Sequence, residues 1–216
     1  MAFKHPRLQQ SDLILEDFFH TYDIGDGKGN TYWNGALNIA SPAGSVNSSA
    51  MTNSTLYAVP LWFGRRFRLK QFGIIIASIS VGGFDITFGI YEDTWDTTRD
   101  FRYPGIKVVD YNITNITTTG FKSCTLSTPK ILNANKLYWA ALMKNNVGAC
   151  NMGRTGFYRY PILHTSLDWS YPNQFANGMY VATTFAASLP DPFPTSATEE
   201  RFSFNMWIRE PNQNGT

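Results

Sequence analysis

The chain has 216 residues, of which 34 are charged (18 Lys and Arg, 16 Asp and Glu) and 33 are aromatic (16 Phe, 11 Tyr, 6 Trp). Charged residues make up 16%, against about 25% in an ordinary soluble domain, which excludes a coiled coil, a long charged helix or an acidic tail. The net charge is +2 with no long basic block, so nucleic-acid binding has no electrostatic footprint in the sequence.

This length suits one domain of about 200 residues with short arms. The longest apolar run, around Ile74-Ile75-Ile76-Ala77, falls far short of the ~20 residues that cross a bilayer, so no membrane insertion is expected. The start, Met1 to Arg7, leads into Gln9-Gln10-Ser11-Asp12 and lacks the apolar core of a signal peptide. A soluble protein made in the cytoplasm is the expectation.

Residues 1–30 carry the one helical period. Ser11 can cap, Asp12 sits in the first turn, and Leu15, Phe18, Phe19 and Tyr22 share one helix face. Gly25, Gly27 and Gly29 then end the helix. The segment reads either as a helix lying on its own domain or as an arm that docks on another protein. Asp23-Ile24-Gly25-Asp26-Gly27 lacks the alternating oxygen ligands of a calcium loop and reads as a flexible turn.

From about Tyr32 the period changes to two. Phe67, Leu69, Gln71, Gly73, Ile75, Ala77, Ile79 and Val81 alternate with a second set that begins with Arg66, Arg68 and Lys70 and turns apolar at Phe72, Ile74 and Ile76. Such a strand starts with a basic outer face and becomes apolar on both sides, as in a sandwich interior or a subunit contact. Phe84, Ile86, Phe88 and Ile90 form the next alternating set, Leu137, Trp139, Ala141 and Met143 another, and Phe202, Phe204, Met206 and Ile208 the last. Shorter strand candidates lie at 56–63, 106–111, 121–126 and 178–185. Turn signals separate them, among them Gly82-Gly83, Tyr103-Pro104-Gly105, Thr119-Gly120 and Asn133-Ala134-Asn135. About eight strands with no helical pattern between them predict an all-β protein, an antiparallel β-sandwich over residues 31–210, with a jelly roll fitting the count and 211–216 a flexible tail.

Two segments read as long irregular loops, which are more often functional than accidental. Residues 92–105 hold Trp95 with Glu92, Asp93, Asp96 and Asp100; residues 144–177 hold Tyr158, Tyr160, His164, Trp169 and Tyr171. The Leu189-Pro190-Asp191-Pro192-Phe193-Pro194 stretch is too proline-rich for a central strand and reads as an extended connection.

No nucleophile elbow or phosphate-cradling loop is present, so no catalytic residue is assigned. The carboxylates at 92–100 are too weak a signal for a glycosidase pair, and calcium on Asp93, Asp96 and Asp100 is a minor alternative. Cys124 and Cys150 are too few for a disulfide framework, and with three scattered histidines they make no metal site; no cofactor is expected, and the thiols read as unpaired. Flat loop aromatics stack on the apolar faces of sugars while amides and carboxylates bind hydroxyls, so Trp95, Trp169 and Tyr171 are the candidate glycan-binding residues. The competing reading packs them on sandwich edges or a subunit interface.

The series Leu56-Tyr57-Ala58-Val59-Pro60, Phe72-Gly73-Ile74, Phe88-Gly89-Ile90-Tyr91, Tyr103-Pro104-Gly105, Thr118-Thr119-Gly120-Phe121-Lys122, Leu137-Tyr138-Trp139-Ala140-Ala141 and Leu189-Pro190 with Pro192-Phe193-Pro194 resembles a jelly-roll module of tailed-bacteriophage virion proteins. The likeness runs from about Tyr32 to Arg209. It implies a non-enzymatic tail-fibre, tail-tip or head-fibre component, located in the virion and commonly trimeric. Its partners would be other virion proteins, met through Leu15, Phe18, Phe19 and Tyr22 of the arm, and host surface glycans. A capsid decoration protein is the alternative reading, and a polysaccharide depolymerase a more distant one.

Overall fold

The computed structural model describes residues 21–22, 31–33, 48–63, 66–80, 83–97, 101–145, 147–153, 178–200, 204 and 206–211. They form two antiparallel sheets, with no helix among the described residues. In the first sheet β1 (Thr21–Tyr22), β2 (Thr31–Trp33), β13 (Met206–Arg209), β5 (Phe67–Ile79), β10 (Cys150–Gly153) and β3 (Ser48–Ala50) follow one another, and β8 (Gly120–Leu132) also pairs with β5. In the second the order is β12 (Thr198–Glu200), β11 (Gly178–Ala182), β4 (Thr55–Phe63), β9 (Lys136–Lys144), β6 (Phe84–Asp96) and β7 (Phe101–Ile116).

The period-two pattern dictates how the sheets meet. Phe67, Leu69, Phe72, Ile74 and Ile76 of β5 share one core with Phe84, Ile86, Phe88 and Ile90 of β6 and with Val59 and Leu61 of β4. Phe72 and Phe88 bridge the two sheets edge to face, with ring centroids 5.3 Å apart. The doubly apolar run at 72–77 splits between two environments. Phe72, Ile74 and Ile76 face this core, while the Trp207 indole lies against Gly73 on the other side and Ile75 stays half-buried. A Cβ at Gly73 would stand 2.8 Å from the Trp207 ring and 2.1 Å from the Lys122 carbonyl oxygen, so only glycine admits this approach.

Each of the eight expected strands coincides at least in part with an observed one, and β1, β2, β3, β10 and β12 are additional. Three differences have plain causes. The stretch 92–105, expected as an irregular loop, is mostly strand: β6 runs on to Asp96 and β7 begins at Phe101, because Trp95 and Asp96 find backbone partners in Arg102 and Phe101. Within 144–177, expected as irregular, Cys150–Gly153 forms β10 against β5 and β3. Tyr22, expected at the end of the helical face, lies in β1, where Thr21 and Tyr22 pair with Tyr32 and Thr31; β-favouring residues beside a sheet edge gain ladder bonds there. Leu15, Phe18 and Phe19 lie outside the described residues.

The stretch 183–197 forms no strand, as its prolines require, but it is not a bare connection. It leaves β11, crosses the outer face of the second sheet and touches the far strand β7, where Phe193 N–H donates to the Gly105 carbonyl at 3.0 Å. Leu189, Phe193 and Ala197 of this strap bury themselves on Leu56, Ala58, Tyr91, Tyr103, Trp139, Ala141 and Met179, making a second core on the opposite side of that sheet. The polar tips of this core are satisfied by the strap: Tyr91 donates to the Pro190 carbonyl and Tyr103 to the Pro194 carbonyl, while Ala197 N–H donates to the Tyr103 hydroxyl at 3.1 Å. At the β7 edge Lys107 holds Asp110 (3.0 Å), Ser188 (2.7 Å) and the Leu189 carbonyl (2.8 Å), and Asp110 accepts the Leu189 N–H at 2.7 Å.

Candidate functional site

Among the described residues, Trp95, Tyr111 and Phe121 are exposed aromatic rings; Tyr111 packs on Phe88 and Phe121 on Trp207, while Trp95 has a cation laid directly over its ring. Trp95 stands near the end of β6, 49% exposed, and its register partner across the hairpin is Arg102 of β7. Cross-strand partners share a face. The Arg102 guanidinium accordingly lies over the indole, 5.7 Å from the ring centroid, and stacks by cation–π attraction.

Arg102 is itself held. Its Nη1 donates to Asp93 Oδ2, and Trp139 Nε1, fully buried in the second core, donates to Asp93 Oδ1 at 3.0 Å. The period of two makes this possible, since Tyr91, Asp93 and Trp95 alternate along β6 and Tyr91 already belongs to the second core. A chain of contacts therefore runs from the buried Trp139 through Asp93 and Arg102 to the exposed Trp95. Burial pushes the Asp93 carboxyl above its usual range, and the hydrogen bonds from Arg102 and Trp139 together with the Arg102 charge pull it part of the way back. An ionised carboxylate so enclosed demands its partners, so Arg102 cannot leave without exposing an unpaired buried charge.

Chemically this is a preorganised platform. Part of the indole is backed by a fixed cation, and the rest is open to a flat, weakly polar surface such as the C–H face of a pyranose. Arg102, with its side chain 48% exposed, adds N–H donors beside the ring.

Of the three candidate glycan-binding residues, Trp95 is on this platform, whereas Trp169 and Tyr171 lie outside the described residues. The structure does not bring Trp95 to an irregular loop but to a hairpin end, which makes it stiffer than expected. Sequence reading missed Arg102 and Trp139. Arg102 was visible as the partner of Trp95 only after the stretch between them is taken as a tight hairpin. Trp139 gave no signal, because its contact with Asp93 depends on the register Tyr91–Trp139 between β6 and β9.

Among the described residues, several other chemistry-bearing groups are engaged or buried. Both Asp93 oxygens are engaged by Arg102 and Trp139, Asp100 lies outside the described residues, and no group of three or more His, Cys, Asp or Glu among the described residues stands close enough to hold a metal ion. Cys124 and Cys150 are both free thiols and buried, and burial pushes Cys150 up to about 11. Lys144 is buried with its ammonium among four oxygens: Asn53 Oδ1 and the carbonyls of Asn145 (3.0 Å), Val147 (3.0 Å) and Gly148 (2.7 Å). Its three donors are spent on tying the connection between β9 and β10 to the segment before β4, which is a structural task.

No protein-family model matches the chain, and no curated protein matches it.

Proposed function

We propose that this chain is a structural protein of a tailed-phage virion, a fibre or adhesion component that contacts host surface glycans at the Trp95 platform. In this reading the domain is a β-sandwich of jelly-roll type, residues 1–30 dock it on other virion proteins, three copies assemble, and the protein works in the virion by binding and without catalysis. The observation that carries the reading is an exposed indole fixed from behind by Arg102, Asp93 and Trp139. About half of the indole stays open to a ligand while its other contacts hold it in place.

The motif series gives further support. Its segments fall on β4, β5, β6, β7, the entry to β8, β9 and the strap, and together they supply much of both cores. A resemblance spread over packing positions is what a shared domain architecture requires. A particle component also has to hold together without disulfides, and two cores on one sheet suit that need.

Glycan-array binding of the purified chain is the test. Wild type should bind a subset of glycans, and Trp95→Ala should weaken that binding at least tenfold, about 1.4 kcal/mol, with the melting temperature unchanged. An array without signal, or unchanged binding by the variant, overturns the adhesion role. Antibody labelling of the particles by electron microscopy should place the protein on tail or fibre; label on the head shell would favour a decoration role, and unlabelled particles would remove the virion role.

A further inference from the structure

The strap lies on the outer face of the second sheet, and the outer face of the first sheet has an apolar surface of its own. Register sets which residues share it. Phe72 and Cys124 pair and face the inner core, so the next pair, Gly73 with Ser123, faces outward, as does Ile75 with Phe121. On the opposite edge of β5, Trp207 of β13 pairs with Gly73 and faces outward with it. Phe121 meets Trp207 edge to face with centroids 6.2 Å apart, and the Arg209 guanidinium lies 5.8 Å from the Trp207 centroid. Toward the start of β5, Phe67 and Leu132 pair inward, so Arg68 and its partner Ile131 face outward. Phe121 is 52% exposed, Ile131 39%, and Ile75 is half-buried. Trp207 is buried, yet its indole N–H has no hydrogen-bond partner. A buried donor without an acceptor is costly, and open apolar surface beside it marks a contact site.

We infer that residues 11–20 of the same chain, which lie outside the described residues, cover this face in the free protein. They lead directly into Thr21 of β1, which stands in the same sheet beyond β2 and β13. Strands lie about 4.8 Å apart, which puts β13 about 10 Å and β8 about 19 Å from β1. A chain at full extension covers about 3.3 Å per residue, so Phe18 reaches β13 and Leu15 reaches β8. The chemistry matches as well. Leu13, Ile14, Leu15, Phe18 and Phe19 suit Phe121, Ile75 and Ile131, and the segment's carbonyls and carboxylates offer acceptors to the Trp207 N–H. Asp12, Glu16 and Asp17, with no Lys or Arg among residues 11–20, complement Arg68 and Arg209, while Glu210 beside them accepts the Arg68 backbone N–H at 3.0 Å. A tether this short holds the segment at high local concentration, which favours it over a second copy. The inference goes beyond the virion reading and stands without it. If the arm docks on the particle, its docking partner must first displace it from this face.

The test is hydroxyl-radical footprinting of the full chain, read by mass spectrometry. Tyr111 on the second sheet is the reference, because its exposure of 43% is close to that of Phe121. Corrected for intrinsic reactivity, Phe121 should oxidise roughly threefold more slowly than Tyr111 in wild type, as it would if the arm is seated about two-thirds of the time. The triple variant Leu15→Ser, Phe18→Ser, Phe19→Ser should bring Phe121 up to the rate of Tyr111 and leave Tyr111 unchanged, with thermal unfolding showing that it is folded. Equal rates at the two residues in wild type would overturn the inference, however the variant behaves. Protection that fades on dilution would also overturn it, in favour of a second copy seated on the face. None of these outcomes depends on glycan binding or on particle labelling, so the inference and the adhesion reading fail separately.

Discussion

The second sheet has a core on each side, and the two are made by different means. Toward the first sheet it presents Val59, Leu61, Phe84, Ile86, Phe88, Ile90, Ala140 and Leu142, which need no hydrogen-bond partner. Toward the strap it presents Tyr91, Tyr103 and Trp139, whose O–H and N–H groups donate to Pro190, Pro194 and Asp93. The inner core rests mainly on non-directional burial, with directed bonds where the Tyr57 and Tyr138 hydroxyls accept the Thr52 and Asn133 N–H groups. The outer core adds directed bonds, each of which demands one acceptor in one place. It is this second kind of order that reaches the surface, since the Trp139–Asp93–Arg102 chain of contacts ends at Trp95.

The largest effect should come from the inner core. Phe88→Ala removes a fully buried ring that touches Phe72 across the sheets, and should cost about 3–5 kcal/mol of unfolding free energy in urea titrations. A loss under about 1 kcal/mol would show that the sheets are not held by this contact.

Cys150 tests the same core by pH. The thiol ordinarily ionises near 9, and in the folded chain only near 11. Between these values the unfolded chain has given up its proton and the folded chain has not, so the contribution is fully present below 9 and is lost as pH rises through 11. The difference between wild type and Cys150→Ala should therefore shrink by about 2–3 kcal/mol over that interval. A difference independent of pH would mean that the thiol is reached by water.

The outer core should respond less. Tyr103→Phe keeps the ring against Phe193 but removes the hydroxyl that donates to the Pro194 carbonyl and accepts from the Ala197 N–H, while the 3.2 Å bond between those two groups stays, so the loss should be about 1 kcal/mol. Hydrogen exchange at Ala197 should quicken more than exchange in β6. If the two changed together, the strap and the inner core would unfold as one cooperative unit and would not be two differently held cores.

Much of the inner core is legible in the sequence. Phe84, Ile86, Phe88 and Ile90 declare a strand and its buried face by alternation alone. The outer core is legible in part: Leu137, Trp139, Ala141 and Met143 alternate, but Leu189 and Phe193 sit among prolines that suppress any period, and only their contacts show that they are buried. The site divides in the same way. Trp95 stands out as a large aromatic among polar residues, but its supports come from β7 and β9, chosen by register.

Alternating side chains thus determined by themselves that this chain forms antiparallel strands with a buried aromatic core, because a two-residue period writes the facing of each side chain directly into the order of residues. Tertiary structure decided which strands lie side by side, and with that the strap over the second face and the bracing of Trp95. Those outcomes depend on register between segments as much as 142 residues apart, as in the bond from Arg68 to Glu210, and no local pattern encodes a register set by the packing of a whole sheet.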